Sequence, residues 1–300
     1  MAEQIRTVTR EFATGEHAVL HVEARSGAVS VEGRQIASVQ VEATVRVWTD
    51  IGSEADDAAS LVERAMEQDG NRVIIRAPSL PEASGGWRML GMRGSRVDYQ
   101  IRVPLRSAVR VLSRSGRVDI ARIEGRVHSE ALSGRLSIAD VTGDVTVVSR
   151  SGSVGIERIA GSVTAEARSG KLKVTDVSGA ASIEVRSGPI EISKVQGDLR
   201  VRGKSGPVSI EDAGGKLQSN SRCGPFRYRG RVEGDFDIEV GTGPITLAVD
   251  PERPFFIDAE SRIGPVTSDL PPRRGAAGGA AAGPKVRLRT HTGPIRVTRS

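Results

Sequence analysis

Apolar and polar residues alternate in short runs along most of the chain: Val118 and Ile120, Leu136 and Ile138, Val154 and Ile156, Leu172 and Val174, Ile190 and Ile192, Val208 and Ile210. Alternation at every second residue predicts strands with one buried face. Each pair begins two residues after a glycine, and Gly116, Gly134, Gly152, Gly170, Gly188 and Gly206 stand 18 residues apart, with Cys223-Gly224 continuing the series. A second glycine follows nine residues after each: Gly125, Gly143, Gly161, Gly179, Gly197 and Gly215. Further apolar columns keep the same period, one at Ile123, Val141, Ile159, Val177 and Val195, another at Val127, Val145, Val163, Ala181, Leu199 and Leu217. Stacked coils would turn each column into an internal ladder.

A triangular coil of three hexads would need an apolar column through Glu124, Thr142, Ala160, Ser178 and Gln196, and four of these five positions are polar. The nine-residue glycine period instead predicts a flattened, two-sided β-solenoid turning at two edges, where glycine can take a positive φ. Later coils carry Gly-Pro at 188, 206, 224, 243, 264 and 293, which places proline at strand starts, where no N–H is needed. The glycine spacing then loosens to 19, 21 and 29 residues, and the Ala/Gly-rich stretch 273–284 reads as a surface loop inserted into a terminal coil.

The N-terminal third is less regular, with strand-like runs at 18–23, 28–32, 39–48, 72–77 and 96–103. Between them, residues 53–69 read as a helix: Ser53 as its cap, Ala55, Ala58, Ala59, Val62, Ala65 and Met66 as its apolar face, Gly70 just beyond its end. The expectation is an all-β protein, a flattened two-sided β-solenoid with 18-residue coils plus one short N-terminal helix. Residues 1–107 would form irregular, capping coils and 108–300 the regular repeats, as one continuous domain.

The repeated Ser-Gly and Val-x-Gly units from Ser115 onward, the segment Tyr99-Gln100-Ile101-Arg102-Val103-Pro104 and the early helix resemble the bacterial putative-adhesin, or toast-rack, family of β-solenoids. The resemblance covers nearly the whole chain and implies the fold. It implies no catalytic residues, because that family carries none that are established. Its members often have membrane anchors.

Composition adds two points. Nine aromatic residues in 300 leave a thin aliphatic core, and a net charge of +6 with only six lysines makes arginine the main cation. A basic surface admits an anionic polymer as partner, although acidic residues are interspersed. No run of residues matches a signal peptide or a membrane span, and the single cysteine forms no internal disulfide, so a soluble, cytoplasmic protein is expected.

The chemistry of the columns points away from catalysis. Ser115, Ser133, Ser151, Ser169, Ser187 and Ser205 are equivalent copies, whereas a nucleophile is unique, so they are expected to bond turn backbone groups. Cys223 occupies the same column as a small packed residue. His17 and His21 lie about 13 Å apart along a strand, too far to share a metal, and no cofactor motif is present.

Two surfaces stand out as candidate interaction sites. Arg114, Arg150, Arg168, Arg186, Lys204 and Arg222 form an outward basic column, interrupted by Leu132, with Glu130, Glu166 and Glu184 two residues earlier. It reads either as a Glu/Arg ladder offsetting its own charge or as a stripe for an anionic polymer. Nucleic acid is disfavoured by the lack of aromatic stacking platforms. The second surface is the segment with Trp87, Arg88, Met89, Leu90, Met92 and Arg93, which folds back as a cap or awaits another protein. The expectation is a non-catalytic scaffold or adhesin-like binding protein; a filament-like or cell-envelope structural protein, self-associating through solenoid ends, is the alternative, and a polysaccharide-active β-solenoid enzyme the third reading.

Overall fold

The computed structural model describes residues 2–49, 51–78, 95–250, 255–270 and 283–300, and separates into two compact units, Met1–Val148 and Ser149–Ser300. The Trp87 segment and the loop 273–282 lie outside the described residues.

The first unit contains β1 (Ala2–Ala13), β2 (Val19–Ala24), β3 (Val29–Arg34), β4 (Ser38–Thr49), α1 (Gly52–Arg64), β5 (Met66–Asp69), β6 (Arg72–Ile75), β7 (Arg96–Pro104), β8 (Ala108–Ile123) and β9 (Val127–Val141). β10 (Val145–Ile159) carries the chain into the second unit. One ladder runs β5, β6, β2, then the first halves of β8 and β9. The other runs β1, β4, β7, β3, then the second halves of the same two strands. β8 and β9 serve both ladders because each bends at its glycine, Gly116 (φ 125°) and Gly134 (φ 120°). The inward columns Val118/Ile120 and Leu136/Ile138 are fully buried.

The N-terminal part departs from the expected pattern in two ways. The helix ends at Arg64, not at residue 69, and its N-cap is Ile51, with no side-chain cap hydrogen bond from Ser53. Ala55, Ala58 and Val62 form its buried face, as the periodicity predicts. Met66, placed on the helix by that periodicity, is instead buried in β5, because Met66–Asp69 pairs antiparallel with β6. Gly70 (φ 59°) then opens a two-residue hairpin loop and does not close a helix. The second departure is β1, a 12-residue strand antiparallel to β4, which the sequence pattern did not reveal. Its inner face interleaves Arg6 and Arg10 with Val8 and Phe12, and the arginines pair with the helix at Asp56 (2.6 Å) and Glu63 (3.7 Å). Charged partners on α1 thus stand where apolar residues would have marked a strand.

The second unit holds β11 (Val163–Ser169), β12 (Leu172–Val177), β13 (Ala181–Ser187), β14 (Ile190–Val195), β15 (Leu199–Ser205), β16 (Val208–Ala213), β17 (Leu217–Cys223), β18 (Phe226–Gly230), β19 (Phe236–Thr242), β20 (Ile245–Val249), β21 (Phe256–Ile263), β22 (Val266–Ser268), β23 (Lys285–Thr292) and β24 (Ile295–Arg299). Odd-numbered strands stack in parallel on one side, even-numbered strands on the other, with residue i opposite i+18 in the regular coils. This is the flattened, two-sided β-solenoid that the glycine period predicts.

The two glycine columns serve different needs. Gly170 has φ 115°, a conformation other residues rarely reach, and its equivalents share it. Gly179 and its column have no left-handed φ, contrary to expectation. There a Cβ would lie 2.5 Å from the carbonyl oxygen of Gly161 in the coil before, so close stacking of backbones demands glycine. The left-handed residue near that edge is not glycine. It is Arg122 or Asp140 in the first unit, and Arg158, Asp176, Lys194 or Asp212 in the second, all with φ between 54° and 59°. Inward Val174 and Val177 are three residues apart, and the left-handed turn at Asp176 takes up the extra residue in every coil alike, since Thr175 and Val177 pair with Ser193 and Val195 while Asp176 and Lys194 are skipped together. Basic and acidic residues alternate along this column, so neighbouring rungs attract.

The last coils do not stack in chain order. β23 lies between β19 and β21, and β24 between β20 and β22. The inward residues explain the exchange. Val286, Leu288, Ile295 and Val297 are at most 1% exposed, whereas the corresponding positions of β21 and β22 hold Ile257, Ala259, Val266 and Ser268. The more apolar coil gains most by being covered on both sides. The prolines behave as expected, their carbonyls accepting ladder bonds, as from Ile190 N to Pro207 O at 2.9 Å.

Candidate functional site

In the second unit the strands of the first side end at the Gly170 edge, and the residue two before each glycine points outward. Stacking of Gly170 on Gly152, and the registers that pair Ser169 with Ser187, Ser187 with Ser205 and Ser205 with Cys223, bring Arg150, Arg168, Arg186, Lys204 and Arg222 onto five consecutive rungs. All five are exposed, and among the described residues none has an ion-pair partner. The rungs are about 4.8 Å apart, at which two unit charges in water repel by about 0.9 kcal/mol. Glu166 and Glu184 share the outward face but form no ion pair with the arginines. The self-compensating Glu/Arg ladder is therefore not made as contacts.

Beside four of the five cations stands a serine hydroxyl, and beside Arg222 the thiol of Cys223. In the first unit these serines bond the preceding coil as expected, Ser115 Oγ donating to Arg25 O (3.3 Å) and Ser133 Oγ to Arg114 O (3.2 Å). In the second unit Ser169, Ser187 and Ser205 are exposed and, among the described residues, have no hydrogen-bond partner for their side chains. Cys223, expected to be packed, is exposed in the same row, because the column faces solvent beyond the turn.

Arg114 belongs to the first unit, where the column reads Arg25, Arg114, Leu132. Arg25 escaped the sequence reading, although the triplet Arg25-Ser26-Gly27, with Gly27 at φ 113°, repeats Arg114-Ser115-Gly116. In the second unit the column passes through Gly241 to His291 and Arg262, which the loosened spacing and exchanged coil order concealed.

Burial pushes the Tyr99 phenol upward and that of Tyr228 up to about 12, and Tyr228 packs edge-on against Phe236 at 4.8 Å. The carboxyl of Glu130 is held below its ordinary value, chiefly by its 2.8 Å hydrogen bond with His128. Among the described residues no group of three or more His, Cys, Asp or Glu side chains could hold a metal, and no helix is long and apolar enough to cross a membrane. A shallow depression of about 460 Å³ between Thr164, Ser182, Arg200 and Asp237 opens on the outer face of the same side.

No curated protein matches the chain. Among solved structures it is similar to a putative cell adhesion protein from Clostridium sporogenes, at 13% identity over 100% of this chain and 99% of that one. The TM-score is 0.24, a superposition too loose to carry properties across. The family comparison agrees with the coil geometry: the profile of Toastrack DUF4097 spans residues 38–298, from the start of β4 into the last strand, and the chain belongs to that family.

Proposed function

We propose that the chain is a non-catalytic, adhesin-like scaffold that holds another macromolecule on the surface of its coils. One observation carries this reading: five consecutive rungs of the second unit present an exposed cation that has no ion-pair partner among the described residues. Repetition suits binding an extended partner through many equal contacts, whereas catalysis needs one distinct constellation. The test is retention without turnover. The full chain, immobilised, is challenged with cell-envelope polysaccharides and proteins, and the mass of each retained partner is followed over hours. Retention with unchanged mass supports the scaffold. A partner converted in proportion to time and protein, or no retention at all, overturns it.

A second reading, self-association, is favoured by the exposed coil of β21 and β22, where Ile263 is 60% and Val266 46% exposed beside strand edges with no further partner among the described residues. Sedimentation against concentration tests it. A monomer at all concentrations removes this reading, and association abolished by Ile263→Asp supports it.

A further inference from the structure

We infer that the edge formed by Arg150, Arg168, Arg186, Lys204 and Arg222 is a binding site for a linear acidic polysaccharide carrying one carboxylate per sugar. The inference rests on the scaffold reading and names its ligand. Three features of the edge select the chemistry. First, the cations follow the rungs, at about 4.8 Å, which is close to the length of one sugar in an extended chain. A duplex nucleic-acid strand places its charges about 3.4 Å apart and winds away from a straight row, and a polyphosphate packs its charges closer still. Second, four of the five cations are arginines, whose planar fork matches a carboxylate with two parallel hydrogen bonds.

Third, on the three middle rungs the exposed hydroxyls of Ser169, Ser187 and Ser205, beside Arg168, Arg186 and Lys204, are free to bond sugar hydroxyls. No aromatic side chain lies in this row of residues to stack a base. Glu166 and Glu184, on the same face two residues back, restrict the anion to the turn edge on their two rungs, while Arg202 continues their column on the next and adds a cation there.

The probes are polygalacturonate and its size-defined oligomers, titrated into the full chain by calorimetry at low salt. Affinity is expected to grow with oligomer length until about five sugars, one per rung, and to level off beyond that. The triple variant Arg168→Gln, Arg186→Gln, Lys204→Gln should weaken binding by about tenfold or more and flatten its salt dependence. A control triple on the opposite side, Arg227→Gln, Arg229→Gln, Arg296→Gln, should bind like the parent chain. Equal loss in both triples, equal affinity for poly-dT or polyphosphate, or no binding of polygalacturonate at low salt would each overturn the inference. If polygalacturonate fails while a different envelope polymer is retained unchanged, the ligand assignment falls and the scaffold stands.

Discussion

Gly197 stacks on Gly179 so closely that a Cβ on Gly197 would lie 2.6 Å from both the carbonyl carbon and oxygen of Gly179. The clash is with backbone, so no rotamer change relieves it. Gly197→Ala is expected to cost about 3 kcal/mol or more. Gly52→Ala, where nothing lies within 4 Å of the added carbon, should leave stability nearly unchanged. Urea denaturation of the two variants measures the difference.

The left-handed column gives a separate expectation at Lys194 (φ 55°). A β-branched residue fits this conformation worst, so Lys194→Ile should cost about 1 to 2 kcal/mol, while Lys194→Gly should stay within about 0.5 kcal/mol of the parent, relief of strain offsetting added chain entropy. Lys194→Asp would set an acid between Asp176 and Asp212, and its destabilisation should shrink as salt is added. Melting temperatures at low and high salt check all three.

The order of the last coils is open to crosslinking. Asp237 is opposite Arg287, and Arg287 opposite Asp258, so Asp237 and Asp258 are two rungs apart. In a Cys223→Ser background, Asp237→Cys with Arg287→Cys should form a disulfide on mild oxidation, since rungs about 4.8 Å apart suit the bond. Asp237→Cys with Asp258→Cys, about 9.6 Å apart, should not. Gel mobility without reductant distinguishes the pairs, and the opposite result would restore stacking in chain order.

Alkaline stability should follow the two buried tyrosines. Burial raises the Tyr228 phenol from 10.0 to about 12, so between those values the unfolded chain has lost a proton that the fold retains. Stability from this group is complete below pH 10 and declines as pH rises toward 12, by about 2 to 3 kcal/mol in all. Tyr99, raised by burial, acts in the same direction. Tyrosinate absorbance should appear together with unfolding, and Tyr228→Phe should flatten the fall even though it also loses the hydroxyl's hydrogen bond to Arg231 O.

The sequence alone determined the coil: period, two-sidedness, inward columns and the row of cations. Each follows because every regular coil packs on near copies of itself, so that what one repeat requires is written again 18 residues later. Tertiary structure decided whatever had no copy to lean on. β1 pairs with β4 through a face whose arginines answer to α1, residues distant in the chain. Met66 joined a strand because β6 was there to receive it, and the apolar β23 and β24 displaced the poorer β21 and β22 from the covered position. Whether Arg168 and Arg186 were paired with Glu166 and Glu184 or left unpaired was likewise beyond the pattern. Sharing a strand face brings charges near one another, but only side-chain geometry determines whether they meet, and here they do not.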